Sequence, residues 1–517
     1  MKKLVALLLV LLLAVSVTAC AAPQTNAPAD DAPSGDAPAA AETPAPTPAP
    51  TDDLEPVTLK IVLFGDKKAE TDRVFGVIAD TFRDELNCDY QVDFIAGTEY
   101  SQKLLVKASA GEAWDLNFDG DWVCYYQMVA REAYMDLTEL LPAYAPDVYA
   151  KYQQNNVLDA CYYDGKLVAL PWTMNMNNRP WFTWRQDYAE KAGIEINPED
   201  INTFDDVYEV LLKFHEAYPD KQTIRDSSFD TFMVLDNLVH LGHQLYVDLT
   251  DPTYTVIPVE ETDAYMYYAE WGKKCQDAGL ISADVLTDKL DGNALLNNGQ
   301  LTCRFGTHEF AYSVRAMVEE DAEWQSHDLY TDHYFANRTP LANIVCIPDS
   351  AENPERALMM LNMVETNQEY FDMLQYGIEG ETYVLGENGE ANYPDGMNAA
   401  NSNYMDWGGR WAFWKPQFMR PNFEYPEGFW TREAEYAAQY DTNVVSPLNG
   451  FAMNVDEISI EIAQRDQIHD DANKLIAAGL AGDPAAAVEK LNADQEAAGR
   501  AKILEVVQAQ VDEFMGK

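Results

Sequence analysis

The chain has 517 residues, with 35 Lys and Arg against 86 Asp and Glu, a formal net charge of −51 at pH 7, and 12% aromatic residues. That length supports two or three domains with substantial cores, and the aromatic content excludes a disordered protein. So negative a balance excludes a nucleic-acid binder and attraction to an anionic membrane surface, and it gives a solvated, soluble exterior.

The start of the chain reads as a targeting segment. Lys2-Lys3 is a positive n-region, residues 4–17 are an apolar stretch too short to span a bilayer comfortably, and Val17-Thr18-Ala19-Cys20 closes it. This arrangement resembles a bacterial lipobox, which implies that Cys20 becomes the lipidated first residue of the mature chain. A plain secretory signal with a chance cysteine is the alternative. Residues 21–56 are dominated by Ala, Pro, Thr and Asp with almost no large apolar side chain. Such a stretch cannot offset its ordering entropy, and its prolines favour extended backbone, so it reads as a disordered, semi-stiff tether. An expendable tail has the same composition.

Strands over 57–64, 90–95 and 115–118 alternate with helices over 71–86 and 100–110, whose apolar residues recur at helical spacing. This βαβαβ order predicts a parallel, helix-covered sheet. Asp66 follows the first strand, and Asp121 and Trp122 follow the third, at the carboxyl edge where open α/β sheets bind ligands. Asp115, Asn117, Asp119 and Gly120 also match the start of a calcium loop, but position 12 is Tyr126 where an acidic ligand is needed.

Residues 158–172 read LDACYYDGKLVALPW. Asp164-Gly165 is a turn signal, and residues 167–170 have the continuous apolar pattern of a strand buried on both faces. Pro171 ends that strand and places Trp172 where the chain leaves the sheet, either an ordinary strand end or a crossover between two lobes. Three stretches, KLLVKASAGEAWDLNF (103–118), YMDLTELL (134–141) and YYDGKLVALPW, are similar, in this order, to the extracellular solute-binding proteins of bacterial ABC importers. YGIEGETY (376–383) resembles the LipO-like lipoprotein branch of that family, of family 1 type. The resemblance implies an α/β, two-lobed periplasmic-binding-protein-like fold with an interlobe hinge.

Beyond the crossover, Trp181 and Trp184 in NNRPWFTW are either core or cleft platforms. A helix is predicted from Thr203 as N-cap to residue 218. Asp236, His240 and His243 share one face if this stretch is helical, as a satisfied structural cluster or part of a metal site. His308-Glu309 lacks the second His of a zinc-protease motif. A buried strand over 341–347 and a helix over 356–365 are, by the resemblance, the return to the first lobe.

MDWGGRWAFWKPQFM (405–419) concentrates Trp407, Arg410, Trp411 and Trp414 around two glycines, which predicts a loop. The reading open beside a binding loop is an aromatic satellite core. Here the branch pattern has Gly-Asn-Gln where this chain has Trp414-Lys415-Pro416-Gln417, a departure that does not carry the branch's ligand preference over to this chain. Three helices, one of them capped by Asp483-Pro484, close the chain. Six cysteines besides Cys20 contain no C-x-x-C; an even count outside the cytoplasm permits disulfides that the sequence does not pair, and the reading favoured for a domain with its own large core is reduced, mostly buried thiols.

The expected organisation is a signal peptide over 1–20, a tether over 21–56, lobe 1 over 57–169 and 339–378, lobe 2 over 170–338 and 379–455, and a C-terminal helical region over 456–517. The implied function is a lipid-anchored, extracytoplasmic and monomeric protein that captures an oligosaccharide, or else a peptide, for the permease of an ABC importer. A secreted glycan hydrolase and an adhesin are the rivals of other classes. The expected ligand-binding residues are Asp66, Asp121, Trp122, Trp172, Trp181, Trp407, Arg410 and Trp411, with no catalytic residue, metal or cofactor.

Overall fold

The computed structural model describes residues 54–516, apart from 155–156, 172–178, 283, 288–294, 296–298, 308–322, 334, 337–338, 399–400, 406, 408–409, 423–442, 445 and 449. The signal, most of the tether, Cys20, Trp172 and His308-Glu309 lie outside the described residues.

Strand β1 (Val57–Phe64) pairs in parallel with β2 (Cys88–Ile95) over its whole length, and with β3 (Leu116–Asp119) through Ile61 and Val62. The helix Thr71–Thr81 buries Val74, Phe75 and Ile78 against the sheet. It breaks at Phe82, so the single helix expected over 71–86 is two, the second being Arg83–Leu86. The Asp164-Gly165 turn has both residues at positive φ, 48° and 75°, and joins β4 (Tyr162–Tyr163) to β5 (Lys166–Leu167). The strand expected over 167–170 is interrupted, because Val168 N–H bonds to Cys161 O and Leu167 O accepts from Leu137. Leu170–Pro171 then forms β6 on the sheet edge, where a proline, which has no N–H to donate, is tolerated.

In the second lobe, β7 (Pro180–Arg185) lies in the middle of an antiparallel sheet. The hairpin β8 (Leu238–Gly242) and β9 (Leu245–Asp248), with β10 (Ile257–Pro258), forms another sheet. The partners of β7 are β11 (Cys303–Thr307) and β12 (Trp324–Asp328). Helix Phe204–Ala217 starts at Thr203 in a full capping box with Asp206, and Phe204 stacks on Phe232 at 4.1 Å in the core. His240 stands on β8 and His243 in the hairpin turn, so the helical face expected for Asp236, His240 and His243 does not form. The short β13 (Phe335–Ala336) precedes the return, where β14 (Ile344–Cys346) inserts antiparallel between β3 and β6. The first sheet is therefore mixed, in the order β2-β1-β3-β14-β6.

Two boundaries differ from expectation. Tyr383, Ala391, Tyr404, Met405, Trp407 and Phe413 pack into the first core, so the described residues of 379–419 cover lobe 1 and not lobe 2. A buried ion pair fastens them there, Lys415 Nζ to Glu365 at 2.8 Å. The C-terminal helices Ser459–Ala477, Pro484–Ala497 and Arg500–Phe514 are no separate region either. Ile476, Val488 and Leu491 enter the second core, while Ile458, Ile462, Ile503 and Val507 pack against Leu241, Leu245 and Val247 of the hairpin. Cys88, Cys124, Cys161, Cys275, Cys303 and Cys346 are buried thiols. The chain is a two-lobed α/β protein.

Candidate ligand-binding cleft

A cavity of about 460 Å³ lies between the lobes. Its first-lobe wall begins where β3 ends. Asp119 is buried, and its Oδ1 accepts from the N–H groups of Gly120 (2.8 Å) and Cys124 (3.0 Å), while the Tyr134 hydroxyl donates to Oδ2. Burial lifts this carboxyl to about 6 despite those hydrogen bonds. The loop so fastened carries Asp121 and Trp122, both in the cavity wall. Trp122 donates Nε1–H to the Ala342 carbonyl at 2.6 Å and meets Phe64 edge to face at 5.7 Å, yet remains 53% exposed. A tryptophan held on one edge and open on a face is a preformed platform for a flat, partly apolar ligand. Gly120 makes the approach possible, since a Cβ there would lie 2.6 Å from Ala342 O. Tyr126 lies beside Asp121; burial first and that carboxylate second raise its phenol, so it stays protonated.

The opposite wall comes from the second lobe. Phe229, Leu238, His240, Gln244 and Tyr246 line it, with Thr307 at the end of β11. The His240 ring is open to the cavity and surrounded by protein. It packs on Tyr246 at 4.9 Å, and its Nε2 accepts the Gln244 N–H at 3.3 Å, which leaves the proton of the neutral ring on Nδ1. Packing around the ring, then the neighbouring His243 and His469, lower its pKa. Ser446, Leu448, Gly450 and Phe451 close the cavity from the C-terminal segment. Aromatic faces interleaved with hydroxyl, amide and carboxylate groups suit a neutral, hydroxyl-rich ligand.

Of the residues expected at the site, Asp121 and Trp122 line the cavity. Asp66 is exposed at the end of β1 and outside the lining. Two tryptophans are corrections. Trp407 is fully buried, donates to Leu374 O at 2.9 Å and meets Phe75 and Phe94 edge to face, so it fills the first core. Trp181 is buried on the central strand β7, flanked on both sides, and is likewise absent from the wall. Arg410 opens the turn Arg410–Phe413 on the same side of lobe 1 as Trp407, with its carbonyl bonded by Gln375, and is not in the lining. Trp411 follows in that turn, its side chain outside the described residues, as Trp172 is altogether. Residues of the supposed calcium loop are engaged by protein donors: Asp115 accepts from the N–H groups of Lys60, Glu352 and Asn353, and Asn117 from Trp114. Sequence reasoning missed Tyr126, Gln244, Tyr246 and Phe451. The Gly242-His243-Gln244 interruption between alternating runs was the signal that could have exposed the hairpin carrying two of them.

Residues 78–358, over half the chain, match the family described as bacterial extracellular solute-binding protein, and residues 447–516 match a domain of unknown function (DUF3502). A carbohydrate ABC transporter substrate-binding protein of Streptococcus pneumoniae is 24% identical over 475 residues, which cover 88% of this chain and 91% of that protein. The crystal structure of the N-glycan transport solute binding protein NgtS from Streptococcus pneumoniae superposes with a TM-score of 0.74 at 22% identity, covering 90% of this chain and 100% of that one. Its complex with Man5GlcNAc gives 0.66 at 23% identity, covering 89% and 99%. The fold is thus a known one, and the chain belongs to the bacterial extracellular solute-binding protein family.

Proposed function

We propose that this protein captures an oligosaccharide in the interlobe cavity and delivers it to the permease of an ABC importer, without covalent chemistry. The observation that carries this reading is Trp122, an exposed indole locked by its own N–H and facing a wall of His240, Tyr246 and Phe229. Sugar rings present apolar faces that stack on such indoles, while Asp121, Thr307 and Gln244 suit their hydroxyls. The cavity volume falls within the range of about 300–1,000 Å³ usual for small-molecule sites. The carbohydrate-binding relatives support the same ligand class. Trp172, at the end of the crossover, is proposed as a further platform. Lipidation at Cys20 would hold the monomer at the outer face of the membrane, with residues 21–53 as its spacer.

The test is titration calorimetry and thermal shift with Man5GlcNAc, kestose, alginate oligosaccharides and a peptide mixture. A glycan should raise the melting temperature by mass action. Trp122→Ala should then weaken it by ~30-fold, roughly the 2 kcal/mol of an aromatic anchor, with melting nearly unchanged. Trp407→Ala should instead cost ~3–5 kcal/mol of stability. Saturable binding of peptides and of no glycan would overturn the ligand class, and unaltered glycan affinity in Trp122→Ala would overturn the site.

A further inference from the structure

The β8–β9 hairpin turns through Gly242 (φ 110°), His243 (φ 50°) and Gln244 (φ 58°). Its last two residues carry a Cβ into the left-handed region, where turns of this kind favour Asn-Gly. Local sequence does not select this geometry, so something else must hold it.

Beside the His243 Nδ1–Asp466 contact at 2.8 Å and the Val259 N–H given to the Gln244 carbonyl at 3.0 Å, the group that holds both carbonyls at once is a buried guanidinium from the C-terminal segment. Arg465, on helix Ser459–Ala477, donates Nε–H to the His243 carbonyl at 2.9 Å and Nη2–H to the Gln244 carbonyl at 2.8 Å. Its remaining fork bonds both carboxylate oxygens of buried Glu260 at 2.8 Å each, and Gln495 donates to the Arg465 carbonyl at 3.0 Å. Arg500 adds a second cation to Glu260 at 3.2 Å. Buried ion pairs are weak general stabilisers, but the planar guanidinium fork fixes directions. Here it is aimed at two adjacent carbonyls of a disfavoured turn.

What that turn presents is cavity wall. Gln244 lines the cavity, donates its N–H to His240 Nε2, and keeps its side-chain oxygen buried with no hydrogen-bond donor among the described residues. We propose that Arg465 is a positioning residue for ligand binding, and that the segment matching the domain of unknown function builds the second-lobe wall of the cavity. It does so directly through Leu448, Gly450 and Phe451, and from behind through the Arg465 clamp. This inference rests on the cavity being the ligand site.

The experiment uses the full mature chain. Arg465→Lys keeps a cation opposite Glu260 but cannot reach both carbonyls. Hydrogen exchange of the unliganded variant should accelerate about tenfold at the amides of residues 241–246 and stay unchanged in helices 204–217 and 263–277. Affinity for Man5GlcNAc should fall about tenfold. Adding His243→Asn, which tolerates the left-handed region better, should restore both readouts. Uniform acceleration across the lobe would mean a merely structural arginine and overturns the proposal, as does local acceleration without loss of affinity, or failure of the rescue. Trp122→Ala runs in parallel: if it binds normally, the cavity reading has failed, and the local exchange pattern still supports or overturns the clamp. If the wild type does not bind Man5GlcNAc, the affinity arm is read with whichever glycan of the screen above does bind, and binding of none of them overturns the proposal.

Discussion

Asp119 and Trp122 show what one residue can and cannot disclose. The sequence places Trp122 just past a strand end, and that position does lead into the cavity wall. Trp407 offered an equally good local case, flanked by glycines in a loop, and is buried; nothing in a tryptophan's neighbours along the chain says which core will enclose it. Asp119 was legible as a strand-end residue but not as the anchor of the loop, because its partners Cys124 and Tyr134 come together only in the fold. Its titration gives a test. The folded carboxyl ionises at about 6, against about 3.8 when unfolded. Between those values the folded chain keeps a proton that the unfolded chain releases, so this term favours folding at low pH and is lost as pH rises through 6. His469, buried and lowered to about 4, acts oppositely: the stability from keeping it neutral is complete above about 6.5 and disappears as pH falls towards 4. In Asp119→Asn only the carboxyl term is removed. Urea denaturation should therefore show the variant gaining on the wild type by roughly 2 kcal/mol between pH 4 and pH 7, whatever its fixed cost. A difference that does not vary with pH would refute the perturbed carboxyl.

Among elements, those with strong local patterns were read correctly. The alternation of β1 and the Thr203 cap of helix Phe204–Ala217 are encoded within a few residues. The hairpin Leu238–Asp248 was not read, because Leu and His spacing there fits a helix about as well, and its turn depends on an arginine more than two hundred residues away. The apolar run 167–170 failed for a related reason: its middle hydrogen bonds go to Cys161 and Leu137 instead of to a strand. The loop after β3 makes a sharper case. At Gly120 an added Cβ would meet the Ala342 carbonyl, a backbone atom of β14's approach that cannot swing aside. Gly120→Ala should cost ~1–3 kcal/mol by chemical denaturation and displace Trp122, shifting its fluorescence. An unshifted melting curve would show that the two segments are not in contact.

At the scale of the whole molecule, the βαβαβ start was legible in the pattern of residues, while the two-lobed plan and the late return strand came from the family resemblance. The lobe assignment of residues 379–419 and of the C-terminal helices was not legible, since an amphipathic face carries no label for the core that receives it. The tether reading makes a cellular prediction: Cys20→Ala should move the protein from the membrane fraction to the medium, because in that reading the lipid on Cys20 is the anchor. Retention through a high-salt wash would contradict it. A last consequence follows from where the thiols lie. Cys88, Cys124, Cys161 and Cys346 sit in the core of one lobe, Cys275 and Cys303 in that of the other, and burial pushes their ionisation upward, Cys275 to about 12. Each is inert to an alkylating reagent until its own lobe opens. The native chain thus carries two built-in clocks, and pulse alkylation read by mass spectrometry would time the opening of each lobe separately, with no label added by design.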